Sequence, residues 1–140
     1  MAARTKARKR AIDVLFEADQ RGANLADVLA ERIALSGREN PLPQYCIDIV
    51  HGVIANWLPV NALVSEAAQD WTIDRMPAVD RAVLRIATWE VVYNDEVPAA
   101  VAIDEAMELA SDLSTDDSAK FVGGVLGRIA RDAAPPVTQD

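Results

Sequence analysis

The chain has 140 residues, 51% of them hydrophobic and only 5% aromatic, with one cysteine and one histidine. That length supports a domain with a true hydrophobic core, while Cys46 alone excludes an internal disulfide, and Cys46 with His51 cannot make a zinc cluster or a histidine-dependent triad. Charge is uneven: the net is −8, yet Arg4, Lys6, Arg8, Lys9 and Arg10 crowd one end of a chain that otherwise holds nine basic and 22 acidic residues, which marks that end as the part that meets a polyanion, nucleic acid first.

Abundant Ala, Val, Leu and Ile with sparse Gly and Pro predict an all-α chain. The first helix runs from about Thr5 to Gln20 and stops at Arg21-Gly22, with Ala7, Ala11, Val14, Leu15 and Ala18 on its core face. A second fits Leu25 to Leu35, capped by Asn24 and ended by Ser36-Gly37, and a proline-containing loop follows from Arg38 to Pro43. A third starts near Gln44 and puts Cys46, Val50, Val53, Ile54 and Trp57 on one side until Pro59 breaks or kinks it. Asn61 to Asp70 supports a short helix, and Trp71 to Pro77 a compact turn. The helix from Ala78 to Asn94 is so apolar that only a stripe through Arg81, Arg85 and Thr88 is left for water, which predicts a central position. Past Pro98, a helix runs from Ala99 to Leu113, and Ser114 or Thr115 caps a last one to about Arg131, with Asp116 and Asp117 at its positive end. Residues 1–132 are expected to form one helical domain with a basic segment at 1–10, and 133–140 a flexible tail. No stretch approaches the roughly 18 apolar residues of a membrane span. The N-terminus, with Asp13, Glu17 and Asp19, fits neither a secretory signal nor a transit peptide, so a cytoplasmic location is expected.

Three side-chain patterns bear on function. On the first helix Thr5, Lys9, Ile12 and Phe16 follow one another at spacings of four, three and four with Arg8 beside them, so cations and a ring share a side, a combination suited to single-stranded RNA. On the last helix Asp117, Phe121, Gly124 and Arg128 line one edge, and Gly123, Gly124 and Gly127 each cost about 1 kcal/mol relative to alanine, which either a close helix crossing or a ligand against bare backbone can repay. The cations and rings from the two chain ends are expected to converge on one outer surface. On the penultimate helix Asp104, Glu108 and Asp112 stand four apart; the stripe reads as a solubilising face or as a seat for a basic protein partner. No nucleophile pattern, phosphate loop or metal-ligand spacing accompanies these carboxylates, so no catalysis, cofactor or metal is expected.

These residues resemble the NusB family of bacterial transcription antitermination factors. The likeness is carried by Lys6-Ala7-Arg8 with Ala11-Ile12-Asp13-Val14-Leu15-Phe16, by the run Trp71 to Ala87, and by Val97-Pro98 through Ala102-Ile103-Asp104-Glu105-Ala106 to Asp117-Ser118-Ala119-Lys120-Phe121-Val122. The resemblance implies about seven helices in two packed small bundles. It also implies a factor that binds the boxA element of nascent ribosomal RNA with NusE, a small-subunit ribosomal protein, and acts indirectly through the RNA polymerase antitermination complex, as a monomer or homodimer. Carried over by position, the RNA-binding residues would be Arg4, Lys6, Arg8, Lys9, Arg10, Phe16, Asp117 and Phe121, and Asp80 would lie near the ribosomal-protein interface. Gly123 stands where the family commonly has asparagine, and Phe16 where tyrosine is frequent, which keeps a ring face and drops a hydroxyl. The rival reading is a protein-protein adaptor whose basic end has only nonspecific RNA affinity.

Overall fold

A computed structural model describes residues 2–69 and 71–133; the tail expected at 133–140 lies, beyond Ala133, outside the described residues. Seven α-helices follow in chain order: α1 (Ala3–Arg21), α2 (Leu25–Ser36), α3 (Gln44–Ala55), α4 (Trp57–Ala67), α5 (Ala78–Tyr93), α6 (Ala99–Leu113) and α7 (Asp116–Ala133), with one 3-10 turn at Ile73–Arg75. No strand occurs among the described residues.

Local signals explain the helix ends. Gly22 takes the left-handed conformation (φ 61°, ψ 30°), and its turn returns hydrogen bonds to the Ala18 and Asp19 carbonyls, closing α1 where a residue with a Cβ would be strained. The Asn24 side chain accepts from the Asp27 N–H at 3.2 Å and starts α2. Thr115 Oγ1 accepts from the Ser118 N–H at 3.0 Å and starts α7.

Pro59 does not act as the sequence predicts. The chain bends by 81° between α3 and α4, but the break falls at Asn56, whose side chain bonds back to the Gly52 carbonyl. Pro59 lies in the first turn of α4, where backbone N–H groups have no intrahelical acceptor in any case, so the helix tolerates it. Trp57 therefore leaves the core face of α3 and is 39% exposed. Among the described residues no single helix is long and apolar enough to cross a membrane.

α5 is the axis of the molecule, packing against α1, α3, α4, α6 and α7. α1, α2 and α3 pack on one another, and α4 and α6 pack on α7, so the two groups of helices meet through α5. Val14, Ile49, Val50, Val53, Val64, Leu84, Leu126 and Ile129 are sealed in the shared core. Thr88, read from the sequence as part of a solvent stripe, is buried as well; only Arg81 and Arg85 reach the surface from that stripe.

α3 meets α5 at Gly52, where an added Cβ would overlap the Trp89 indole ring. Alanine here gains up to about 1 kcal/mol of helix propensity, against roughly 1–3 kcal/mol for overpacking a ring held between helices. Gly52→Ala should therefore lower the urea midpoint with an unchanged m-value. A midpoint at or above that of the parent would mean that the ring moves aside freely.

Candidate nucleic-acid interface

α1 separates its cations. Its helical repeat of about 100° per residue turns Lys9 outward beside Phe16, sets Lys6 about 80° and Arg10 about 120° around from that ring, Arg10 toward Cys46 of α3, and turns Arg8 toward α5. Lys6 is exposed, Lys9 and Arg10 are half-buried, and Phe16 is 39% exposed. Arg4 lies over the Tyr45 ring at 4.9 Å and pairs with Glu96 at 3.3 Å.

The structure corrects the reading of Arg8 as a surface cation. Its side chain is 4% exposed, and its Nε and Nη2 donate to the Glu90 carboxylate at 2.8–3.1 Å. Burial works against the charge, but the hydrogen bonds and charge of Glu90 outweigh it and hold the guanidinium above its ordinary pKa. The Tyr45 hydroxyl donates to the same carboxylate at 2.6 Å and accepts from Asn94 at 2.9 Å; burial, then the bond to Glu90, pushes the phenol above its usual range. Arg8 and Tyr45 both donate to Glu90, so Arg8 ties α1 to α5 and offers nothing to a ligand outside.

The remaining members of the first stripe also divide. Thr5 Oγ1 donates to Glu105 on α6 at 3.0 Å, and Ile12 is buried beside Ala106 and Leu109 around a cavity of about 10 Å³. Side chains of α1 thus reach α6 at Glu105, Ala106 and Leu109 across the edge of α5. Phe16, one turn beyond Ile12, lies on the side of α1 that leads toward the turn between α6 and α7.

That turn is built from hydroxyls. Ser118 Oγ donates to Asp80 Oδ2 at 2.9 Å and is approached by Ser114 and Thr115, which joins the start of α7 to the first turn of α5. Asp80 is 0% exposed, so its expected place at a protein-partner interface is corrected: the carboxylate is an internal anchor for α7. Asp117 and Lys120 are exposed on the segment it anchors.

Phe121 is half-buried on α7. Its ring meets Trp71 edge to face, with centroids 5.0 Å apart and planes at 69°, above the end of α4. Phe121 lines the groove between α4 and α7, and Phe16, exposed on α1, is not among the residues that line it. Trp71, Ala67, Ala68, Phe121, Gly124 and Arg128 line this groove of about 350 Å³. Trp71 was legible in the sequence only as a turn residue; its pairing with Phe121, 50 positions away, left no periodic signal.

The helix glycines have separate explanations. At Gly123 a Cβ would stand 2.6 Å from Met107 Sδ, so this residue serves the close crossing of α6 and α7, and the asparagine common in the family would require Met107 to move. At Gly124 a Cβ would meet nothing within 4 Å. Close packing accounts for the first and not for the second.

A larger groove of about 600 Å³ lies between the α1–α2 turn and α5 and was missed from the sequence. Arg85 stacks on Trp57 at 4.5 Å, and Arg81 donates to Asp19 at 2.8 Å. Burial lowers the Arg85 pKa, with Asp19 acting against the shift. Two arginines there face Asp19 and Asp74, so it has no net attraction for an anion. Asp104, Glu108 and Asp112 are exposed along α6, whereas Glu105 is engaged with Thr5 and Arg8. No group of three potential metal ligands occurs among the described residues.

Residues 5–131 match the NusB family. The chain is 51% identical over 148 aligned positions to the transcription antitermination protein NusB of Beutenbergia cavernae, covering 100% of this chain and 95% of that one. It is 54% identical to the protein of the same name from Saccharopolyspora erythraea, covering 93% of this chain and 88% of that one. A solved T. maritima NusB superposes with a TM-score of 0.81 at 33% identity, covering 96% of this chain and 94% of that one. A solved complex of antitermination factors NusB and NusE with dsRNA contains a chain of the same fold, with a TM-score of 0.79 at 23% identity over 92% of this chain and 96% of that one.

Proposed function

Because this chain belongs to the NusB family, we propose that it is a cytoplasmic, non-enzymatic transcription antitermination factor that binds single-stranded boxA-type RNA of nascent ribosomal transcripts together with NusE, and through that complex helps RNA polymerase pass terminators. The observation that carries the RNA reading is the outward Lys9 beside the exposed ring of Phe16 on α1, with Lys6 and Arg10 further around the same helix, in a chain whose net charge is −8. Such a face attracts phosphates and gives an unstacked base an apolar surface to lie on, while the acidic remainder repels polyanions elsewhere.

Asp117, Lys120 and Phe121 on α7 extend the contact, held in place by the bond from Ser118 to Asp80. A basic ribosomal protein is complementary to the exposed stripe of Asp104, Glu108 and Asp112. The phosphates supply most of the affinity, and the rings and the protein partner supply selection.

The deciding measurement is equilibrium binding to a boxA-like single strand, a scrambled single strand of equal length and the boxA-like duplex, each with and without NusE. The boxA-like single strand should bind most tightly, with a further gain when NusE is added. Equal retention of matched and scrambled strands, unchanged by NusE, would leave an adaptor with a nonspecific basic tail. Preference for the duplex would remove the base-stacking role.

A further inference from the structure

We propose that the groove between the α1–α2 turn, α4 and α5 is a docking site for a short, uncharged, apolar segment of a partner protein, in which Trp57 and Leu58 cover its side chains and Arg85 donates to one of its backbone carbonyls. None of the basic residues of α1 and none of the acidic stripe of α6 lines it. The groove holds about 600 Å³, within the roughly 300–1,000 Å³ of ligand clefts, and Leu15, Ala18, Leu25, Ile54 and Trp57 wall it. The apolar surface continues past its rim. From Ile49 to Ser65 the chain has no Asp, Glu, Lys or Arg, although such residues make up 26% of the whole. At the 81° bend between α3 and α4 this stretch comes to the surface, with Leu58 80% and Trp57 39% exposed and Ala55, Pro59 and Ala62 in the open. Apolar residues grouped around a tryptophan in this way mark a protein contact. A free small molecule would fill the groove and leave Leu58 in water, whereas a segment of polypeptide covers both.

Arg85 identifies what the occupant brings. Its side chain is 13% exposed, its guanidinium lies 4.5 Å from the centre of the Trp57 ring, and its Nε donates to Asn61 Oδ1 at 2.8 Å. Asn61 in turn donates to the Trp57 carbonyl, one turn back along α4, so the fork is fixed in plane and direction. Of its five N–H donors, only the one at Nε has an acceptor among the described residues. Asp19 Oδ2 is 4.0 Å from Nη1, beyond hydrogen-bond length, and is held by Arg81 at 2.8 Å. Neither Nη atom is sealed from solvent, so the remaining donors open on the groove that Arg85 lines. Burial lowers the pKa of this cation even with Asp19 nearby, as expected where a charge is dried more than it is bonded.

Charge decides between acceptors. Arg81 and Arg85 are matched by Asp19 and Asp74, so a phosphate or a carboxylate is not drawn in from a distance. Arg81 is moreover committed, its Nη1 donating to the Ile73 and Met76 carbonyls at 3.2 and 2.7 Å. What the groove lacks is an acceptor for Arg85 and not a charge. A backbone carbonyl supplies one without a second ion to dry, and the side chains beside it have apolar walls to meet.

Selection of random dodecapeptides displayed on phage against the whole chain, with the Trp57→Ala, Leu58→Ser double variant as counterselection, tests the site. Enriched peptides should carry apolar side chains and little net charge. A synthetic copy of one, capped at both ends, should bind the parent with an affinity that changes by less than about twofold between low and high salt. It should lose about thirtyfold or more on Trp57→Ala and about tenfold on Arg85→Met. Leu58→Ser, at a position too exposed to matter for folding, should weaken binding while melting with the parent, and it carries the test should Trp57→Ala melt lower. RNA and NusE binding should be unchanged in all of these proteins. No enrichment over the double variant would overturn the proposal, as would enrichment of acidic peptides whose binding falls steeply with salt. Self-association abolished by Leu58→Ser would give the surface to a second copy of this chain, and loss of NusE binding on Trp57→Ala would make the groove part of that interface; either result overturns the proposal as well.

Discussion

Replacing Glu90 with alanine is expected to destabilise the protein by about 3–5 kcal/mol, the cost typical of removing one member of a buried ion pair. The magnitude comes from what is left behind. Arg8 and Tyr45 both direct donors at this carboxylate, Asn94 donates to the Tyr45 hydroxyl behind it, and the Arg8 and Glu90 side chains are 4% and 1% exposed. Without Glu90 the guanidinium is a buried charge with only the partly exposed Glu105, 3.7 Å from Nη1, to balance it. Arg8→Ala should cost a similar amount by stranding the carboxylate. The double change Arg8→Met with Glu90→Leu removes both charges and keeps apolar volume, so it should recover most of the loss, because a buried pair gains little over a well-packed apolar one. Urea denaturation of the three variants decides the matter. Single variants within about 1 kcal/mol of the parent would mean that water reaches the pair and that the junction of α1 with α5 is looser than its geometry implies.

The second large effect is on RNA affinity, and it separates outward cations from the inward one. Lys6, Lys9 and Arg10, with Arg4 shared between solvent and Glu96, give three or four phosphate contacts. At about 0.7 per contact for single strands, log K should fall with log salt at a slope between about −2 and −3, a loss of roughly twenty- to fiftyfold between 50 and 200 mM salt. Changing Lys6, Lys9 and Arg10 together to alanine should remove most of that slope and lower affinity for matched and scrambled strands alike. The Arg8→Met, Glu90→Leu protein, if folded, should keep the parental slope. A slope that falls by a full contact on loss of Arg8 would show that this side chain leaves Glu90 for a phosphate, while a flat response in the parent would take the N-terminal cations out of recognition altogether.

Both results turn on the difference between a residue's type and its place. Arg8 and Lys9 are adjacent cations with the same appearance in a charge count, and Lys9 faces outward while Arg8 lies against α5 because a single residue step rotates the side chain by about 100°. The apolar periodicity of α1 placed its core face correctly at Ala7, Ala11, Val14, Leu15 and Ala18, all buried. It could not show that the face widens to take in Arg8 and Ile12, since a charged residue at its edge looks like the start of the polar side until its acceptor is known. Thr88 and Asp80 on α5 are the same case: polar residues on a helix enclosed by five others, buried because neighbours close over them. Asp80, carried over from the family as an acidic partner contact, is instead an internal acceptor for Ser118.

Apart from the α3–α4 boundary, the helix spans, the cap at Asn24, the stop at Gly22 and the central rank of α5 were determined by the sequence alone, which also narrowed the α7 cap to Ser114 or Thr115. They depend on backbone hydrogen bonding, left-handed conformations and apolar spacing within a few residues, and those leave a mark in any short window of the chain. The tertiary structure decided which cations face outward on α1 and which is tied to α5, and that Trp71 joins Phe121. Each of those outcomes is fixed by a partner far along the chain, Glu90 standing 82 positions from Arg8 and Ser118 38 from Asp80. Desolvation and charge pairing act on distance in space, and only the packed helices set that distance.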